Sequence, residues 1–170
     1  LMDRHRAVVV WQDIIELSPD DQQAEDRLCD LYVSAGDWAS LDALYGGRGR
    51  WQRLVDVLAT AAASLTDTVE ICSLYDRMAA ICRVELNDPV AANTCLERIL
   101  EIDPAHPQAS ERLVDSYRQT EALSSLVDVL ERQAEQDQDS FAERRELAEL
   151  YEHQLQNPAS AYKWFSGALA

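Results

Sequence analysis

Three histidines, four cysteines and a short glycine-rich segment are the residues of this 170-residue chain whose types could do chemistry. A nucleophilic centre needs a serine or cysteine with a base in reach, and His5, His106 and His153 stand apart with no such partner at a recognisable spacing. They read as surface histidines. Cys29, Cys72, Cys82 and Cys95 form no C-x-x-C pair and have no histidine at ligand spacing, so they are expected to be small apolar core residues. Gly46, Gly47 and Gly49 lack the Gly-Lys-Ser/Thr of a phosphate loop and a strand before it; they mark a helix break. Asp137 and Asp139 open like a calcium loop, but the turn glycine and closing glutamate are missing. An acidic connector at a helix N-terminus is expected there, where negative charge suits the dipole. The chain is therefore read as no enzyme, with no cofactor and no metal.

Charge narrows the partners. Fifteen basic residues stand against 31 acidic ones, a net charge of −16, and the pI is near 4.4. Such a surface repels phosphate, and with Lys163 the single lysine there is no basic run, which argues against nucleic acid. An apolar content of 47% can bury a core, while no apolar run reaches the roughly 18 residues of a membrane span. Five glycines and five prolines are too few for many strands and hairpins. No leader opens the chain, whose first apolar stretch, Ala7 to Trp11, is short and flanked by Asp3 and Asp13. A cytoplasmic segment is expected, and Leu-Met-Asp-Arg-His does not read as a natural start, so targeting signals of a parent chain can lie outside it.

The elements that carry these residues repeat. LVDVL occurs at Leu54 to Leu58 and again at Leu126 to Leu130. Ala92, Leu96, Ile99 and Pro104 match Ala7, Trp11, Ile14 and Pro19 upstream, and Leu86, Pro89, Ala92 and Leu96 match Leu155, Pro158, Ala161 and Phe165 downstream. Recurrence of this kind signals stacked units. Within each unit apolar residues fall at i, i+3, i+4 and i+7, as in Leu28, Leu31, Tyr32 and Ala35. Proline and Asp/Asn punctuation divides the chain into helices at about 5–17, 21–35, 37–45, 50–64, 67–86, 89–102, 107–119, 121–136, 140–156 and 158–169. No strand is needed.

These units resemble tetratricopeptide repeats, TPR for short. First helices carry Leu28-Cys29-x-x-Tyr32, Leu113-Val114-x-x-Tyr117 and Leu147-Ala148-x-x-Tyr151; second helices carry Ala7-x-x-x-Trp11, Ala92-x-x-x-Leu96 and Ala161-x-x-x-Phe165. The resemblance implies an all-α, right-handed α-solenoid of antiparallel helical hairpins. One repeat domain over 1–170 is expected, a piece of a longer array, with units at about 1–20 (partial), 21–64 (with an extra short helix at 37–45), 65–105, 106–137 and 138–170. Glu25, Ser110 and Arg144 replace the family's first-helix tryptophan. The preference for arginine over lysine resembles the long repeat arrays of GC-rich bacteria.

The resemblance also implies a protein-interaction scaffold whose concave groove is lined by first helices. Matching slots place Asp26, Asp30, Glu111, Asp115, Glu149 and Glu152 there. Acids in these slots argue against a clamp for a partner's C-terminal carboxylate and point to a basic protein or peptide segment. The blander reading pairs Arg27 with Asp30 and Arg112 with Asp115 as solvated neighbours. Trp11, Trp38 and Trp51 are expected in packing roles. Trp164, Phe165 and Leu169 are expected to expose an apolar patch on the last helix through which the chain self-associates. The alternative function is a spacer or oligomerisation rod that uses its ends and convex face.

Overall fold

A computed structural model describes residues 2–136 and 141–168. Asp137, Asp139 and Leu169 lie outside them. Among the described residues the chain is all-α, in ten helices: α1 (Met2–Leu17), α2 (Gln22–Val33), α3 (Trp38–Gly46), α4 (Trp51–Ser64), α5 (Thr68–Val84), α6 (Pro89–Ile102), α7 (Pro107–Gln119), α8 (Leu123–Gln136), α9 (Phe141–His153) and α10 (Pro158–Ala168). They fall into two compact units, Leu1–Leu65 with α1 to α4 and Thr66–Ala170 with α5 to α10. In each unit every helix packs on the next in chain order. None of the described helices is long and apolar enough to cross a membrane.

Helix starts follow from side chains that satisfy the orphan N–H groups of the first turn. Asp21 accepts from Ala24 N at 3.0 Å, Asp37 from Ser40 N at 3.2 Å, Asp67 from Val69 N at 2.9 Å and Asp88 from Ala91 N at 3.0 Å. Asn157 does the same for Ser160 N at 3.2 Å. Helix ends obey a rule that spacing did not reveal. Gly36, Asn87, Glu121 and Gln156, one in each turn from a Tyr-slot helix to the next, have φ of 65°, 50°, 54° and 49°. The N–H of the following residue (Asp37, Asp88, Ala122, Asn157) then reaches back to the carbonyl of Tyr32, Cys82, Tyr117 or Tyr151 at 2.8–3.0 Å. This left-handed stop closes the helix carbonyls. It is why α5 and α9 end at Val84 and His153 and not at 86 and 156, and why α8 begins at Leu123 and not at 121.

The repeat slots form the interior. Ala24, Leu28 and Tyr32 are buried in the first unit; in the second, Ala92, Leu96, Ile99, Leu113, Tyr117, Leu130 and Leu147 are buried, most of them in one continuous cluster. Two expectations change here. Trp11 and Ile14 are only half-buried and Ile15 is the buried residue of α1, because α1 has α2 as its principal neighbour in the unit. Trp164 is not on an exposed patch: it is 6% exposed and belongs to the core, leaving Phe165 (37%) and Tyr162 (76%) outside.

Gly46 ends α3 where the indole of Trp51 folds over it, and an added Cβ would overlap the outer edge of that ring at Cη2 and Cζ3. Gly46→Ala is expected to destabilise the chain by about 1–3 kcal/mol through this overlap. Glu121→Gly is expected to stabilise it by up to about 1 kcal/mol, since glycine adopts a positive φ without the Cβ clash. Urea unfolding followed by circular dichroism checks both.

Candidate functional site

The six expected groove carboxylates divide between the units, and all six are exposed. In the first unit Asp26 and Asp30 sit one turn apart on α2. Asp26 Oδ1 lies 3.3 Å from the Arg53 guanidinium of α4, while Asp30 has no ion pair among the described residues and lines a cleft of about 460 Å³ between α2 and α4. In the second unit Glu111 and Asp115 lie on α7, Glu149 and Glu152 on α9. Arg118 of α7 joins Asp115 (3.4 Å) to Glu146 of α9 (2.6 Å), Arg145 pairs with Glu149 at 2.9 Å, and Glu152 stands 3.9 Å from His153 Nε2. Arg112 turns away from Asp115 to Asp76 of α5, and no pair joins Arg27 to Asp30 among the described residues. The Arg112 guanidinium thus leaves its own helix for a carboxylate on α5. Glu111 keeps no ion pair among the described residues.

A second set of polar residues, unmarked in the sequence reading, ties the hairpins together. Gln12 Nε2 donates to the hydroxyl of Tyr32 at 2.8 Å, the Tyr117 hydroxyl donates to Glu97, and the Tyr151 hydroxyl donates to Glu131 at 2.9 Å. Each partner lies the same distance back in the chain and directly follows a large slot residue, Trp11, Leu96 or Leu130. That spacing was the available signal. Glu131 also accepts from Trp164 Nε1 at 3.3 Å, so one carboxylate joins α8, α9 and α10. Burial, and then the bond to an anionic acceptor, pushes Tyr117 upward and Tyr151 up to about 12.

At the three slots where the tetratricopeptide pattern has tryptophan, the residues present are also linked. Glu25 is 2% exposed and is held by Arg50 and, at 3.4 Å, by Arg48. Ser110 Oγ accepts from Gln133 at 2.6 Å, and Arg144 donates to the Ala134 carbonyl at 3.2 Å.

Cys72, Asp76, Asp103 and His106 share a cleft of about 560 Å³ in the second unit. Its histidine is already engaged, because Nδ1 of His106 caps α7 by accepting from Ala109 N at 3.3 Å. Burial, and then the Asp103 charge, raises the Cys72 thiol, which disfavours the thiolate. Burial first of all raises Cys29, Cys82 and Cys95 too, Cys95 up to about 12. No group of three or more potential metal ligands occurs among the described residues. Gly46 and Gly47 close α3, as the helix break expected there.

No family model and no curated protein sequence matches this chain. Similar solved structures include MamA (15% identity over 98% of this chain and 87% of that one, TM-score 0.45). Another is YrrB, described as a TPR protein with an unusual peptide-binding site (16%, 98% and 77%, TM-score 0.41). A third is BtubC from P. vanneervenii (15%, 99% and 70%, TM-score 0.38). Among the described residues, sequential helices with buried Ala, Leu and Tyr slots and the left-handed turn between them make the chain an all-α repeat protein of TPR-like fold.

Glu131→Ala strands two partly buried donors and is expected to cost about 2–3 kcal/mol, against about 1 kcal/mol for Tyr151→Phe, which removes only one side of one bond. Urea unfolding compares them. Raised phenols also set an alkaline limit. The tyrosines of the unfolded chain ionise near pH ~10, whereas burial raises Tyr45, Tyr117 and Tyr151 of the fold above that value, Tyr151 to about 12. The stabilisation is whole below the unfolded value and is lost as pH rises toward the folded one. Phenolate absorbance of Tyr45, Tyr117 and Tyr151 is expected to appear together with the loss of helical dichroism.

Proposed function

We propose that the chain is a non-enzymatic protein-interaction scaffold that takes a basic segment of another protein on its exposed acidic faces: Asp26 and Asp30 on α2 in the first unit, and Glu111, Asp115, Glu149 and Glu152 on α7 and α9 in the second. The observation that carries this reading is the residue of negative charge left after the arginines are engaged. Arg53, Arg118 and Arg145 each hold one of these acids, yet Asp30 and Glu111 stand exposed without an ion pair among the described residues, on a chain of net charge −16. Exposed carboxylates in a surplus steer a cationic partner and set its orientation more than its affinity. The same rule places the segment's contacts within reach of salt.

A fluorescein-labelled peptide of repeated Lys-Gly-Leu is expected to bind, its Kd weakening at least tenfold as salt rises from about 50 to about 500 mM, by Debye screening. Glu111→Gln with Asp115→Asn is expected to weaken it by several-fold, and a Glu-Gly-Leu peptide is expected not to bind. Fluorescence anisotropy reads all three. Failure of the lysine peptide to bind at low salt overturns the proposal.

The exposure of Tyr162 and Phe165 on α10 favours a second reading, self-association of the chain. Sedimentation velocity over rising concentration is expected to show a larger species that Phe165→Ser removes.

A further inference from the structure

The cleft between α2 and α4 combines features that the general reading of acidic faces does not use. Its apolar wall is Val33, Val57 and Ala61, and its volume of about 460 Å³ exceeds what one side chain fills. Asp30 from α2 and Asp56 from α4 both line it. Asp56 accepts one bond from Gln52 at 3.2 Å through Oδ1, and Asp30 has no ion pair among the described residues. The cation present, Arg53, is turned to Asp26 at 3.3 Å, so the lining keeps an excess of negative charge. Behind the lining, Tyr45 is fully buried with Cys29 and Arg53 beside its hydroxyl, so it takes no part in the cleft surface.

One ligand chemistry satisfies these surfaces together, an aliphatic stem that ends in a cation. An anion would meet two carboxylates and an arginine already neutralised. A purely apolar group would leave Asp30 and Asp56 unserved. We propose that the α2–α4 cleft is an anchor pocket for a lysine- or arginine-type side chain of the partner segment, its stem on Val33 and Val57 and its charged head held by Asp30 and Asp56. The inference rests on the proposed binding of a basic segment and gives that binding one defined point of attachment. It also assigns a role to Asp56, which lies on α4, outside the first-helix slots. Long side chains bury little area by themselves, so the pocket sets register and the exposed acids supply the rest.

The test uses the 170-residue chain and three blocked tripeptides, Gly-Lys-Gly, Gly-Arg-Gly and Gly-Lys-Gly with the lysine Nε-acetylated, titrated while amide resonances are followed. Saturable shifts at Asp30, Val33, Asp56 and Val57 are expected with the first two peptides, the larger response naming the preferred head group. The acetylated peptide is expected to give none. Asp30→Asn with Asp56→Asn, on solvent-facing sites, is expected to weaken binding at least tenfold with unchanged circular dichroism. Shifts spread evenly over the acidic surface, shifts from the acetylated peptide equal to the others, or full affinity in the double variant each overturn the pocket. If the longer lysine peptide still binds in that case, the general reading stands and only the pocket fails. If it does not bind the wild-type chain, the general reading fails, whatever the tripeptides do.

Discussion

A phenol long enough to cross from one helix to the helix before it puts its hydroxyl where water has little access, and that hydroxyl must find a partner there. The rest of this structure is arranged around that need. Tyr32, Tyr117 and Tyr151 each bond to Gln12, Glu97 or Glu131 on the preceding helix. The same three residues give their backbone carbonyls to the turn that follows. One residue therefore fixes the helix pair behind it and the stop ahead of it. A buried phenol satisfied at only one place also resists sliding: a shift of one helical residue would strand both the donor and the carboxylate. Register in these hairpins is set by a polar bond laid over an apolar interface that alone would tolerate several alignments.

Charge follows the same geometry at the surface. First helices are neighbours across the array in the second unit, so Arg112 and Arg118 of α7 reach Asp76 of α5 and Glu146 of α9 in opposite directions. These exposed pairs contribute little to stability individually. Their consequence is functional, because they use up the cations and leave Glu111 with its charge uncompensated by an ion pair among the described residues. The first unit has a different solution: Glu25 is buried beneath the partly exposed Arg48 and Arg50 of the α3–α4 turn, and removing both arginines would leave its charge in the interior. Gly46 beneath Trp51 and the positive φ of Gly49 let that turn bend tightly enough to deliver the two arginines.

Much of the helical map was legible in the residues. Asp88-Pro89, His106-Pro107 and Asn157-Pro158 combine a capping side chain with a proline that needs no N–H, and the three helices begin where those pairs stand. Helix ends were less legible. Gly36 advertises its left-handed turn, whereas Asn87, Glu121 and Gln156 adopt the same conformation without a glycine to announce it. Their placement follows from the carbonyl bonds that the turn must close, which depend on where the previous helix is held. The candidate site shows the same division. The acids were readable as acids; their partners were not, since an arginine side chain selects among carboxylates on three helices by distance in space.

By itself the sequence determined the all-α class, the order and approximate starts of the helices and the surplus of negative charge. Each of these depends on local periodicity, local caps or simple composition. Tertiary structure alone decided that Trp164 goes inward to Glu131, that Asp30 and Asp56 face one cleft, and that Arg112 pairs with Asp76 in place of its helical neighbour. Those outcomes depend on the distance between residues that the chain separates and the packing brings together, and no pattern along a single helix encodes it.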